Sequence, residues 1–121
     1  MTRKILTVDD SRTMRDMLRF ALLDAGYEVV EAVDGVHGLE VLDQHGADVI
    51  ITDINMPRMD GFGFIEAVRN GMSHRATPIL VLTTESTPEK KARAKNAGAT
   101  GWIVKPFHPA KLVEAIRRVA A

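Results

Sequence analysis

The chain contains no cysteine, which excludes both a disulfide framework and a thiolate metal site. It carries no excess of charge. Sixteen Lys and Arg stand against sixteen Asp and Glu, for a formal net charge of zero, and this balance argues against a nucleic-acid footprint spread over the surface. No apolar run is long enough to span a bilayer. Met1-Thr2-Arg3-Lys4 leads straight into a short strand-like segment instead of the long apolar region of a signal peptide. The expectation is a soluble cytoplasmic protein with no membrane insertion. Repeats, linkers and low-complexity stretches are also missing. At 121 residues the chain fits one domain and leaves no room for a second.

What is present is organised around Asp48 to Gly61. Val49-Ile50-Ile51 reads as a buried strand that breaks at Asp53 into a polar loop punctuated by Pro57 and Gly61. The rest alternates in the same way. Ile5 to Val8 is a short strand ending at Asp9-Asp10, and Ser11 is an N-cap for a helix with Met14, Met17, Leu18, Ala21, Leu22 and Ala25 inward, stopped by Gly26. Glu28 to Val33 reads as an edge strand because of its polar interruptions, with Asp34-Gly35 as its turn. Val36, Leu39 and Leu42 mark a second helix ending near Gly46, and Phe62, Ile65 and Val68 a third ending at Gly71. Ile79 to Leu82 is the most apolar strand and ends at Thr83-Thr84-Glu85. Thr87-Pro88 starts a fourth helix, to Ala97-Gly98, whose apolar face is nearly all alanine. Gly101 to Val104 is the fifth strand, and a last helix from Pro109 presents Leu112, Val113, Ile116 and Val119. Five strands alternating with five helices through short connections imply an α/β fold, with a parallel sheet covered on both faces.

In such a sheet the C-terminal strand ends share one edge. Asp9 and Asp10, Asp53, Thr83 and Lys105 would then meet in one small site. Close carboxylates repel, and a cation must offset that cost. Mg²⁺ takes hard oxygen ligands and keeps waters that a phosphate can replace, with Mn²⁺ as its substitute. A lone aspartate beside a cation, a lysine and a hydroxyl is arranged to accept a phosphoryl group on its carboxylate. The Thr83 hydroxyl would donate to it, and the Asn55 main-chain carbonyl is near enough in sequence to complete the metal site. The four histidines, His37, His45, His74 and His108, show no ligand spacing and are expected at the solvent surface.

Val8-Asp9-Asp10-Ser11, Asp53-Ile54-Asn55-Met56-Pro57 with Asp60-Gly61, Thr83, Gly98-Ala99 and Lys105-Pro106-Phe107 together resemble the receiver domain of bacterial two-component response regulators. The resemblance covers the whole chain and lies closest to the single-domain chemotaxis members. It implies a flavodoxin-like (βα)5 doubly wound five-stranded sheet in the order 2-1-3-4-5, a fold for which this family is itself a standard example. It also implies a single receiver domain over residues 1–121 with no separate output domain. Asp53 is then the phosphoacceptor, served by a histidine kinase, the chemotaxis kinase in such members. Asp9, Asp10 and Asp53 with the Asn55 carbonyl form the Mg²⁺ site. Thr83 is the switch hydroxyl, Trp102 stands at the switch aromatic, and Lys105 precedes a cis bond to Pro106. Asn55, Thr84 and Glu85 fall at positions that tune dephosphorylation, with or without a phosphatase. The fourth helix, fifth strand and fifth helix form the output surface, read by the flagellar motor switch or another target. The resting state is a monomer, with dimerisation on phosphorylation left open.

On this reading the protein is a signalling phosphoprotein and no enzyme beyond its own phosphorylation and dephosphorylation. A phosphate sink or phosphorelay intermediate is the alternative within the class. An aspartyl-phosphate hydrolase is more remote, because it needs an acid two residues after its nucleophile, where Asn55 stands. A flavodoxin-like redox carrier is disfavoured because Asp9-Asp10 would repel the flavin phosphate.

Overall fold

The computed structural model describes residues 2–120. Ten elements alternate along them: β1 (Lys4–Val8), α1 (Arg12–Asp24), β2 (Glu28–Ala32), α2 (Gly35–His45), β3 (Val49–Thr52), α3 (Gly61–Asn70), β4 (Ile79–Thr83), α4 (Pro88–Ala97), β5 (Gly101–Val104) and α5 (Pro109–Ala120). All pairings are parallel, in the order β2-β1-β3-β4-β5, the flavodoxin-like arrangement.

The central strands are apolar because both faces of the sheet are covered. Successive side chains go to opposite sides. Ile5, Val49, Ile51, Leu80 and Leu82 pack with Leu18 and Leu22 of α1 and Leu112 and Ile116 of α5. Leu6, Ile50, Ile79 and Val81 pack with α2, α3 and Ala94 of α4 on the other face. Four helices open on a side-chain cap: Ser11, Asp34, Asp60 and Thr87 accept from the amides of Met14, His37, Gly63 and Lys90. Each cap satisfies a donor the helix leaves unpaired and fixes where the chain turns away from the sheet edge.

The structure corrects several local expectations. β2 is an edge strand as read, but it ends at Ala32 and not Val33, because the Val33 amide leaves the ladder to donate to Nδ1 of His37. Asp34 is the N-cap of α2 and not merely a turn residue. Met17 is exposed, since the buried stripe of α1 narrows to Leu18 and Leu22. In α3 the fully buried Phe64 joins Phe62, Ile65 and Val68. Its ring lies where a Cβ on Gly38 would come within 2.8 Å, so a small residue on α2 makes room for a large one on α3. α4 buries Ala94 alone, which agrees with its thin apolar face.

Candidate functional site

Three main-chain bonds carry the sheet ladder into the loops at its C-terminal edge. The Asp9 amide donates to the Ala32 carbonyl (3.1 Å), the Asp53 amide to Val8 (2.9 Å) and the Lys105 amide to Thr83 (2.8 Å). Each of these residues is the first beyond its strand, so its side chain is aimed by the sheet and not by a free loop. Behind Asp53, Gly61 opens α3 with its amide on the Ile54 carbonyl (2.8 Å). A Cβ there would collide with the Asp53 carbonyl oxygen and come within 2.8 Å of the Ile54 Cα.

Lys105 joins the two buried carboxylates. Its Nζ lies 2.9 Å from Asp9 Oδ2 and 2.8 Å from Asp53 Oδ2, although these residues are 96 and 52 positions away in the chain. The Lys105–Pro106 bond is cis. The remaining oxygens are also held: Asp9 Oδ1 accepts the Ser11 amide (2.9 Å) and Asp53 Oδ1 the Ile54 amide (2.6 Å). Burial raises the Asp9 carboxyl above its ordinary value, and the Lys105 and Ser11 hydrogen bonds only partly counter it. Burial also works against the Lys105 ammonium, but the bonds from Asp53 and Asp9 outweigh it, and its pKa is raised.

Asp10 is exposed beside this pair. Asp9, Asp10 and Asp53 each offer a carboxylate oxygen within 4.8 Å of the others. Each carboxylate has lone pairs beyond those its hydrogen bonds use. The set is all oxygen and acidic, so its donor chemistry fits a hard divalent cation such as Mg²⁺.

Thr83 ends β4 fully buried, and its Oγ1 accepts the Glu85 amide (3.3 Å). Thr84 beside it is exposed. The Asn55 side chain donates to Glu85 Oε1 (3.1 Å), which also meets Lys90 Nζ of α4 (2.9 Å). Lys90, then Asn55, lowers the Glu85 carboxyl. Trp102 stands apart from the acidic cluster. It pairs in register with Val81, two residues before Thr83, and packs half-buried against the core face that α4 shares.

Two features escaped the sequence reading. Arg58, in the loop after Asp53, makes a bidentate pair with Asp34 (Nε to Oδ2, 2.8 Å; NH2 to Oδ1, 3.1 Å). That pair, followed by the His37 amide, lowers the Asp34 carboxyl. The cap position of Asp34 was readable, but nothing local announces a partner 24 residues away. Arg15 of α1 reaches the Asp9 carbonyl. The histidines divide: His45 and His108 are exposed as expected, whereas His37 and His74 are half-buried and His37 is engaged by the Val33 amide. No described helix is long and apolar enough to cross a membrane.

Comparison with known proteins gives a consistent result. The family model for the response regulator receiver domain matches residues 5–117. The chain is 42% identical over 118 residues to the chemotaxis protein CheY1 of Helicobacter pylori, covering 96% of this chain and 95% of that one. It is 38% identical over 117 residues to the chemotaxis protein CheY-3 of Vibrio cholerae, covering 96% and 90%. Among solved structures, the chemotaxis protein CheY4 of Vibrio cholerae superposes with a TM-score of 0.94 at 50% identity, covering 98% of this chain and 99% of that one. With its fold, its acidic strand-end cluster and these matches, the chain belongs to the response regulator receiver domains and closely resembles the CheY chemotaxis proteins.

Proposed function

We propose that this protein is a response regulator that accepts a phosphoryl group on Asp53 and signals through the surface formed by α4, β5 and α5. One observation carries the reading: the Lys105 ammonium bridges Asp9 and Asp53 at the edge where three carboxylates converge. An acceptor carboxylate must meet a phosphoryl group carrying several negative oxygens. Fixed positive charge at that point is the main requirement of phosphoryl transfer.

In the proposed step a carboxylate oxygen of Asp53 forms a bond to phosphorus. The bond from phosphorus to the donor breaks, and its electron pair leaves with the donor: the imidazole nitrogen of a phosphohistidine in a histidine kinase, or acetate from acetyl phosphate. Hydrolysis reverses the acyl phosphate, as water adds to phosphorus and the carboxylate and inorganic phosphate are released. Lys105 stays protonated and neutralises phosphoryl charge, which its raised pKa supports. Asp9, Asp10, Asp53 and the Asn55 main-chain carbonyl would hold Mg²⁺, which supplies further neutralisation of the phosphoryl oxygens when bound. Thr83 would donate its hydroxyl to the attached group. Asn55 and Glu85, hydrogen-bonded to each other, and the exposed Thr84 would set the phosphoryl lifetime. The protein acts on itself alone and is otherwise a signalling protein.

For the output, α4 buries a single alanine, and a groove of ≈ 490 Å³ beside it is lined by Lys91, Lys95, Ala94 and Trp102. A helix held by so little core is the element a new charge at Asp53 can bias, with Trp102 as its neighbour on β5. The chemotaxis names of the relatives favour the chemotaxis kinase as donor and the flagellar motor switch as target. The deciding experiment is intact mass after incubation with acetyl phosphate, with and without Mg²⁺, for the native protein and Asp53→Asn. A single Mg²⁺-dependent adduct absent from the variant is expected. No adduct, and no binding of a beryllofluoride analogue, would overturn the proposal.

A further inference from the structure

We infer that Arg15 is a positioning residue for the Asp9-Asp10 carboxylate pair, clamping the Asp9 carbonyl from α1 and aimed in turn by Glu31 of β2. This rests on the functional reading above and names the part of the chain that holds its cation site in shape.

The need for a clamp follows from the geometry of the strand end. The Asp9 amide is the last rung towards β2, on the Ala32 carbonyl (3.1 Å). Its own carbonyl lies past the ladder, in a residue only 2% exposed, and an unpaired carbonyl there would be costly. Arg15 NH1 donates to it at 2.7 Å, a charge-assisted bond. The Asp9 side chain is already held by Lys105 and by the Ser11 amide. With amide, carbonyl and side chain all tied, the peptide plane joining Asp9 to Asp10 is fixed. The Ser11 amide on Asp9 Oδ1 holds the next peptide plane as well, so the direction in which the Asp10 Cα–Cβ bond leaves the backbone is set from both sides, with only its side-chain torsions free. No described residue donates a side-chain hydrogen bond to the Asp10 carboxylate, so its placement comes through the backbone alone.

Arg15 is itself braced. Its Nε lies 3.5 Å from Glu31 Oε1, with the two side chains 14% and 26% exposed. The other Glu31 oxygen takes Arg19 NH1 at 2.7 Å, and Arg19 NH2 meets Asp16 at 2.8 Å. Glu31 sits opposite Thr7 in the β1–β2 register, two residues before the acidic pair. The glutamate that marks β2 as an edge strand therefore holds a guanidinium against the end of the neighbouring strand.

Two effects of Arg15 on a divalent cation oppose each other. As a nearby positive charge it weakens binding, and as a clamp it strengthens binding by keeping Asp10 in place. Arg15→Lys separates them, because it retains the charge and loses the planar fork. The test is calorimetric titration of metal-free protein with Mg²⁺ for the native chain, Arg15→Lys and Glu31→Gln, with ¹⁵N relaxation of the Asp10 amide in the metal-free proteins. Arg15→Lys is expected to bind Mg²⁺ about tenfold more weakly, as loss of an outer-shell partner does. Its Asp10 order parameter should fall from about 0.85 towards 0.6. Glu31→Gln should move both readings the same way by less, and because it keeps the size and shape of the half-buried side chain, that arm stays readable if Arg15→Lys folds poorly. Native-like affinity and order in both variants, or tighter binding in either, would overturn the inference. If the native protein bound no Mg²⁺, the cation-site reading would fall by itself. The metal-free Asp10 order parameters would then decide the clamp alone, upheld by a drop in Arg15→Lys and overturned by none.

Discussion

Gly61→Ala tests whether the packing behind Asp53 is what holds the site. The added Cβ would collide with the Asp53 carbonyl oxygen and lie 2.8 Å from the Ile54 Cα and 2.9 Å from the Ile54 Cδ1. Two of these neighbours are backbone atoms of the segment that the Asp53 amide ties to β1, so they cannot rotate aside. Overpacking a tight site costs about 1–3 kcal/mol. With backbone as the obstacle we expect the upper end, ~3 kcal/mol, which lowers Tm by roughly 10 °C for a domain of this length. Two other glycines calibrate the measurement. At Gly71 a Cβ meets only ordinary contacts, 3.4 Å from the Ala67 and Val68 carbonyl oxygens, at φ −77. Alanine there should be neutral or stabilise by up to about 1 kcal/mol through the unfolded chain. At Gly26 a Cβ meets nothing within 4 Å, but φ is +91, so alanine should cost about 1–2 kcal/mol in backbone strain alone. Urea denaturation of the three variants gives the order. The acetyl phosphate labelling rate of Gly61→Ala adds the functional reading: a displacement of roughly 1 Å at Asp53 should slow labelling about 10²-fold. If Gly61→Ala were as stable as Gly71→Ala, the steric argument would be wrong. If it were destabilised but labelled at the native rate, the link from α3 packing to the carboxylate would be wrong.

Further expectations concern charge. Asp9 has a folded pKa above its ordinary value of 3.8, so its contribution to stability is full below that value and is lost as pH rises through the raised one. In chelator, Asp9→Asn should therefore be more stable than the native protein at neutral pH, with the gain vanishing towards about pH 4; thermal melts across that range would show it, and a gain largest in acid would contradict it. Asp34 is shifted the other way, so its contribution is present above its unfolded value and lost as pH falls through the lowered one. Asp34→Ala should cost about 1–2 kcal/mol near neutral pH through the lost cap, whereas Asp34→Ser, which keeps a capping oxygen, should recover most of it in urea titrations. Lys105→Met removes the bridge between Asp9 and Asp53 and should slow acetyl phosphate labelling by about 10²-fold; a rate near native would remove Lys105 from the proposed chemistry.

The sequence by itself determined the element order and the residues that stand at the strand ends. Those signals are local: apolar runs of strand length, caps such as Ser11 and Thr87, stops such as Gly26 and Gly98, and polar breaks at Asp9, Asp53, Thr83 and Lys105. Periodicity was weaker at ranking faces. It put Met17 inward because the helical spacing tolerates it, whereas the sheet fully covers only Leu18 and Leu22 of α1. It passed over Phe64, whose burial depends on Gly38 of another helix. What only the tertiary structure decided is which charges meet. Lys105 finds Asp9 across 96 residues, Arg58 finds Asp34 across 24, and Arg15 finds a backbone carbonyl that no side-chain pattern could signal. Hydrophobic patterning is written along one strand or one helix, so it can be read there. An ion pair between elements depends on strand order and register, and these exist only once the sheet has formed.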